Sequence, residues 1–177
     1  MANFDLAYLA LKMAAPTNEI ITDDKGLPGA YVRVPALKLN QLLESGNGDD
    51  TIQPAFMISN DQKQSLLIGK YEGKSHANRI YSLPGEDPTV NITLDTYETY
   101  CKNKGAGHHC ITAAEWAYLA LWCKKNGTLP WGNNNYGKDS RETSYVAIPK
   151  YKDGSGQTCR VATGTGPLKW SHNRGID

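Results

Sequence analysis

The feature that most constrains the fold is a strongly apolar segment that begins after Thr112. Residues 112–115 read TAAE, a capping box in which the hydroxyl of Thr112 and the carboxylate of Glu115 each satisfy a free amide at the start of a helix. The predicted buried stripe contains Trp116, Leu119, Ala120 and Cys123, widened by Tyr118, Leu121 and Trp122, and the helix is predicted to end at Asn126 and Gly127. We expect a nearly buried helix in which replacing Trp116 by alanine would cost about 3–5 kcal/mol.

A second helix is predicted to begin after Thr93, which is a good N-cap residue, and to end at Gly105. Its apolar face would contain Leu94, Tyr97, Tyr100 and Cys101. The two predicted helices are therefore joined by a short segment rich in glycine and histidine.

Strand signals lie upstream of both helices. Residues 31–35 alternate between the two faces of a strand that Pro35 ends or leaves at a sheet edge. Residues 55–59 and 65–71 are predicted to form a hairpin around the polar turn at 60–63. These patterns favour an α+β fold that contains an antiparallel sheet.

Regular periodicity is lost after Pro130, where seven glycines fall within the last 46 residues. Such weakly patterned regions are usually functional loops on a rigid scaffold. Without a linker-like composition change, we expect one domain at residues 51–177, preceded by an extension at residues 1–50 that serves assembly.

Charge and hydropathy exclude several classes of function. The chain has 19 basic and 18 acidic residues, so it lacks the field that holds a polyanion, and we expect no nucleic-acid partner. No apolar run approaches the roughly 20 residues of a membrane span, so we expect no membrane insertion. The first residues lack the pattern of a signal peptide, and without export the four cysteines are expected to be free thiols.

The sequence GHHCIT at residues 107–112 places two imidazoles beside a thiol. Adjacent side chains of an extended segment point in opposite directions, so we expect His108 and His109 to bind no common metal ion. Cys110 could pair with either histidine as a nucleophile, but its place before an apolar helix favours an inert thiol. Glu115 already caps the helix, and we predict no catalytic residue, no metal and no cofactor.

An aromatic and amide-rich run follows Pro130. It contains Trp131, Asn133, Asn134, Asn135 and Tyr136. Amides supply hydrogen-bond donors and acceptors together while aromatic rings supply flat apolar contact, a combination suited to recognising a sugar or a protein surface. The alternative is that the asparagines serve as turn residues that tolerate left-handed backbone.

The order of several motifs resembles a known family. They are SLPG at 82–85, TYCK at 99–102, GAGHHCITAAEW at 105–116, ALWC at 120–123, NGTLP at 126–130 and GNNNYGK at 132–138, with FDLAYLAL at 4–11 and VATGTGPLKWSH at 161–172. The set is similar to the C-type lectin-like fold, and within it to the formylglycine-generating-enzyme-like (sulfatase-modifying factor) branch found in phage and prophage proteins of gut bacteria.

This resemblance implies two helices on a small twisted antiparallel sheet, with a loop-rich C-terminal half that displays a binding surface. Family members continue beyond the point that matches residues 175–177 into a Gly-Asn-Val-Trp-Glu-Trp motif and further strands, so the domain is expected to be C-terminally incomplete. A homo-oligomer or a second chain would then complete the fold. The paired catalytic cysteines of true formylglycine-generating enzymes lie in that later part, and none of the four cysteines matches them.

We therefore expect a non-enzymatic adhesin or receptor-binding protein that binds a host-surface glycan or protein. The predicted ligand-binding residues are Trp131, Asn133, Asn134, Asn135, Tyr136 and Trp170. The expected location is a phage virion (the tail), or the bacterial cytoplasm before assembly. The alternatives are a formylglycine-generating-enzyme-like oxidoreductase that uses a thiol or a metal, and a purely structural virion component.

Overall fold

Helices and short antiparallel strands make up the part of the chain that the computed structural model describes, which is residues 4–14, 19–44, 46–127, 129, 135, 137–141, 148–152 and 159–161. The helices are α1 (Phe4–Ala14), α2 (Leu39–Leu42), α3 (Leu94–Lys102) and α4 (Ala113–Lys125), and Pro54–Phe56 forms a 3-10 turn. The strands are β1 (Glu19–Thr22), β2 (Pro28–Pro35), β3 (Met57–Ile58), β4 (Asp61–Gln62), β5 (Ser65–Gly69), β6 (Gly73–His76), β7 (Arg79–Ser82), β8 (Pro149–Lys152) and β9 (Cys159–Val161). The α+β class predicted from the sequence is confirmed.

Strand β2 is the centre of a three-stranded antiparallel sheet in the order β1-β2-β5. Nearly all of its side chains are buried, and Arg33 is the exposed exception. The strand ends at Pro35, as predicted, because proline has no amide hydrogen with which to continue a ladder. β2 therefore supplies the surface on which the other elements pack.

The hairpin predicted between residues 55–59 and 65–71 is wrong. The chain reverses earlier, because Ser59 and Asn60 adopt left-handed backbone with φ of 50° and 67°, which is what a two-residue turn needs. β3 therefore pairs with β4, and β5 pairs with β2 instead. A turn of the same kind at Ala77 and Asn78, with φ of 49° and 58°, joins β6 to β7.

Among the described residues, the core consists of two apolar clusters, each of which includes residues of β2. The first contains Val32, Val34, Leu42, Ala55, Phe56, Tyr118 and Leu119, and the second contains Leu11, Ala30, Tyr81 and Leu83. β2 precedes residue 50, whereas β5, Phe56 and α4 follow it. Segments on both sides of the predicted boundary at residue 50 thus share one sheet and one core.

Helix α4 begins with the predicted capping box: the Thr112 hydroxyl accepts from the Glu115 amide at 3.2 Å, and the Glu115 carboxylate accepts from the Thr112 amide at 2.7 Å. The predicted stripe is wrong in its centre, since Trp116 is 66% exposed and Ala120 is exposed as well. Leu119 is buried as predicted, and Tyr118, which was predicted only to widen the stripe, is the most deeply buried side chain of the helix. The buried face is therefore turned by about one residue, or roughly 100° around the helix axis.

The reason for this rotation lies in two polar groups of α4. The Tyr118 hydroxyl donates to the carbonyl of Pro35 at 2.6 Å, and its ring packs edge-on against Phe56 with the centroids 4.9 Å apart. The buried Glu115 carboxylate also turns inwards to reach the helix start. With the Tyr118 hydroxyl bonded to β2 and the Glu115 carboxylate bonded to the helix start, Trp116 faces outwards.

Helix α3 follows Thr93, whose hydroxyl accepts from the Thr96 amide at 3.3 Å as an N-cap, in agreement with the prediction. Cys101 is buried as predicted, but Leu94 is 67% exposed. None of the described helices is long and apolar enough to cross a membrane.

Two substitutions separate the buried from the exposed aromatic residues. Phe56→Ala should lower the free energy of unfolding by about 3–5 kcal/mol, because Phe56 is fully buried in the first cluster. Trp116→Ala should lower it by less than about 1 kcal/mol, because the ring lies largely in solvent. Urea denaturation at neutral pH measures both, and equal losses would contradict the orientation of α4.

Candidate functional site

Several titratable side chains lie in or near residues 103–112, the interhelix loop that joins α3 to α4. The Asn103 side-chain amide donates to the Asn78 carbonyl at 2.9 Å and so fastens the loop to the β6–β7 turn. Gly105 and Gly107 adopt φ of 124° and 86°, which side chains rarely tolerate. The glycines therefore let the chain fold back between the two helices.

Lys104 is the buried cation of this loop and is 6% exposed. Its Nζ donates to the Tyr31 hydroxyl at 2.6 Å and lies 4.6 Å from the centre of the Tyr81 ring. Burial lowers the pKa of Lys104 to about 8, although the negative charge of Asp23 works in the opposite direction. Lys104 thus reaches neutrality at an unusually low pH for a lysine.

Asp23 is the anion of the same cluster, and its side chain is wholly buried. Oδ1 accepts from the amides of Lys25 at 2.9 Å and Leu27 at 3.0 Å. Oδ2 accepts from the Arg79 guanidinium at 2.8 Å and from the Tyr81 hydroxyl at 2.6 Å. Burial alone would raise the pKa of Asp23, but these hydrogen bonds hold it well below its ordinary value.

The two tyrosines of the cluster stay protonated across the neutral range. Burial raises the pKa of Tyr31 to about 12, with a further contribution from the charge of Asp23. Burial and the hydrogen bond to Asp23 likewise raise the pKa of Tyr81. Arg79 also pairs with Asp24, so the cluster joins the β1–β2 turn, β2, β7 and the interhelix loop.

The two histidines of the loop lie in different surroundings. His109 Nε2 lies 3.0 Å from Glu115 Oε1, and its Nδ1 lies 3.0 Å from the Gly107 carbonyl. Burial would lower the pKa of His109, but these two acceptors raise it on balance. The pKa of His108 is lowered by burial and by the charge of Lys104. In the described part of the chain, no group of three or more His, Cys, Asp or Glu side chains is placed to hold a metal ion.

Two thiols meet at the base of the loop, which the sequence did not indicate. Cys101 Sγ and Cys110 Sγ are 3.7 Å apart. Cys101, Cys110 and Cys123 are free thiols, as expected. Burial raises the pKa of Cys101 to about 12, and contact with Cys110 adds to this.

The predicted ligand-binding run falls mostly beyond the described residues: Trp131, Asn133, Asn134, Tyr136 and Trp170 all lie outside them. Asn135 is half-buried, and its backbone amide donates to the Lys138 backbone carbonyl at 2.8 Å. The buried Asp139 carboxylate then accepts from the Arg141 amide at 2.9 Å and from its guanidinium at 2.6 Å. Asn135 is thus hydrogen-bonded to the residue that precedes the buried Asp139.

A shallow groove lies away from these groups. It is lined by Leu42, Leu43, Glu44, Leu121, Lys124 and Lys125 and has a volume of about 290 Å³. The groove is at the C-terminal end of α4, about 18 Å along the helix axis from the interhelix loop. The titratable cluster therefore does not open into it.

Sequence reasoning missed Asp23, Tyr31, Tyr81 and Lys104 as partners. They are separated by up to 81 residues along the chain, from Asp23 to Lys104, and no local spacing relates them. The DDKG turn at residues 23–26 was visible in the sequence, but nothing there indicates that its first carboxylate is buried.

Comparison with known proteins adds no assignment: no protein-family model matches the chain, and no curated protein matches it significantly. The C-type lectin-like resemblance stays a prediction.

Lys104→Met should change how stability depends on pH. The unfolded chain binds more protons than the native state between the native pKa of about 8 and the ordinary value of 10.5, so this lysine makes stability rise with pH there. Relative to the variant, the wild-type free energy of unfolding should rise by about 1 kcal/mol between pH 7 and pH 9. Denaturation of both proteins at each pH measures this, and parallel profiles would show that Lys104 is solvated.

Asp23→Asn and Asp24→Asn form a matched pair. The buried Asp23 holds Arg79 and Tyr81, so its neutral variant should lose about 2–4 kcal/mol of unfolding free energy at pH 7. Asp24 is 62% exposed, and its variant should lose much less. Because the native pKa of Asp23 is depressed, its contribution should also disappear from the wild type as the pH falls below about 4. Equal losses in urea denaturation would contradict the buried cluster.

Proposed function

We propose that this protein is a non-enzymatic binding protein of a phage or prophage, with a C-type lectin-like fold. It presents Trp131, Asn133, Asn134, Asn135, Tyr136 and Trp170 to a glycan or protein on the host surface. The observation that carries the proposal is that Asp23, Lys104 and Glu115 each hydrogen-bond to other residues of the protein. The cluster serves as a scaffold, and recognition falls to the amide-rich run.

A catalytic acid or base must reach a substrate atom within hydrogen-bond distance. Lys104 is directed to Tyr31, and each oxygen of Asp23 accepts from two donors of the protein. Glu115 accepts from Thr112 and faces His109. These hydrogen bonds within the protein support a structural role for the three groups.

The cluster also provides the rigid support that a binding loop requires. It fastens the β1–β2 turn to β2, to β7 and to the chain after α3 through buried, charge-assisted hydrogen bonds. A loop gains affinity when its support is rigid, because less conformational freedom is lost on binding. The scaffold thus favours recognition by residues that lie beyond it.

The end of the amide-rich run makes hydrogen bonds with the residues that follow it. The backbone amide of Asn135 donates to the Lys138 carbonyl, and the buried Asp139 carboxylate binds Arg141. The side chains of the run then suit a sugar, since amides pair with hydroxyls and aromatic rings stack on apolar sugar faces.

The partners follow from the same proposal. A host-surface glycan or protein is the ligand, and no cofactor is needed. A homo-oligomer or a second chain is the further proposed partner. The protein would act in the phage virion, at the tail.

Replacing Trp131 and Tyr136 together by alanine should reduce binding of the labelled protein to host cells at least tenfold. The loss follows from removing the stacking surfaces of the proposed site. Titration against cells, with fluorescence of the bound protein as the readout, measures it. Trp116→Ala is the matched control, because it removes an exposed tryptophan from α4 and should leave binding unchanged.

Thermal unfolding of the same variants separates recognition from folding. The double variant should unfold within a few degrees of the wild type. Undiminished binding would refute the proposed site, and a collapsed fold would show that the two aromatic residues belong to the core.

A further inference from the structure

We propose that Cys101 and Cys110 are a redox-active pair that a small disulfide compound converts into an intramolecular disulfide, which closes the interhelix loop into a covalent ring. This modification site is independent of the proposed function, because it requires no ligand at residues 131–136.

The contact between the two sulfur atoms is the first support. The Sγ atoms lie 3.7 Å apart, in van der Waals contact. Cys101 is in the last turn of α3, and Cys110 lies two residues before the N-cap of α4. A disulfide needs its two residues to be close already, since a distant pair would require backbone movement.

The loop between the cysteines has room to move as the two sulfur atoms approach each other from 3.7 Å to bonding distance. A Cβ added to Gly105 or Gly107 would meet no atom within 4 Å, so these positions are surrounded by open space. Glycine also leaves the backbone free to adjust at both points. Asn103 and Lys104 keep their partners on the Cys101 side, so the adjustment falls on the glycine segment.

The two thiols differ in access, which sets the order of reaction. Cys110 is half-buried, whereas Cys101 is 7% exposed. An external disulfide therefore meets Cys110 first, and Cys101 acts as the resolving thiol. Burial raises the pKa of Cys101 and the positive charge of Lys104 offsets this only in part, so the second step should become faster as the pH rises.

The chemistry balances with oxidised glutathione as the oxidant. The Cys110 thiolate attacks one glutathione sulfur, the glutathione S–S bond breaks, and a glutathione thiolate leaves. The Cys101 thiolate then attacks the Cys110 sulfur, and the second glutathione thiolate leaves. The two leaving thiolates take up the two thiol protons, so two cysteine thiols are oxidised and one glutathione disulfide is reduced to two thiols.

Cys123 provides an internal control. It lies ten residues after Ala113 in α4, about 15 Å along the helix axis. Cys123 is therefore too far from the Cys110 position to replace Cys110 in the disulfide with Cys101. A Cys123→Ser variant should form the same disulfide as the wild type. Cys110→Ser should form none.

Peptide mapping tests the proposal directly. The reduced protein is incubated with oxidised glutathione, alkylated and cut with trypsin. Lys102 and Lys104 separate the two cysteines, so peptides 80–102 and 105–124 remain joined only through a disulfide. The second peptide also contains Cys123, so the Cys123→Ser and Cys110→Ser variants identify which of its cysteines is joined to Cys101. We expect this joined species, a mass loss of about 2 Da in the intact protein, and complete reversal by dithiothreitol.

A second readout follows stability. Closing the loop should raise the midpoint of thermal unfolding by roughly 5–10 °C in the wild type and in Cys123→Ser. The shift should vanish in dithiothreitol and be absent in Cys110→Ser. Persistence of alkylated Cys101 and Cys110 in the oxidised sample, a stable mixed disulfide with glutathione, or a crosslink that involves Cys123 would each overturn the proposal.

Discussion

The buried carboxylate of Asp23 is the constraint on which the described structure depends. Its oxygens gather four donors from the β1–β2 turn and from β7, and it places Tyr81 and Arg79 beside the site that Lys104 occupies. A buried carboxylate is costly unless it is fully hydrogen-bonded, so these partners must all be present in one arrangement. Through that requirement one turn near the N-terminus determines the position of a loop 81 residues later.

Lys104 shows what this arrangement costs. An amine at 6% exposure loses most of its hydration, and its contacts with Tyr31, the Tyr81 ring and the nearby carboxylate offset the loss only in part, as its lowered pKa indicates. Buried ionic groups of this kind contribute to a unique geometry more than to net stability. In this protein the geometry that they select brings the end of α3 and the start of α4 together, and with them Cys101 and Cys110.

Local signals in the sequence predicted local structure well. Thr93 and the box formed by Thr112 and Glu115 mark the starts of α3 and α4, because a cap involves residues three positions apart, and Pro35 marks the end of β2. The same local reasoning was wrong about the partner of β5, since a two-residue turn at Ser59 and Asn60 leaves that strand to pair with β2. The predicted binding residues other than Asn135 lie beyond the described structure, so the sequence alone supports them.

The sequence by itself determined where α3 and α4 start and where β2 ends, because these depend on contacts within a few residues, and it also indicated the α+β class. Tertiary structure decided which face of α4 is buried, since helical spacing alone cannot distinguish the face of Trp116 from that of Tyr118 when both are apolar. The Tyr118 face is the buried one because the Tyr118 hydroxyl donates to the Pro35 carbonyl. Tertiary structure likewise decided that Asp23 and Lys104 share one buried cluster, because pairing across 81 residues leaves no periodicity in the chain.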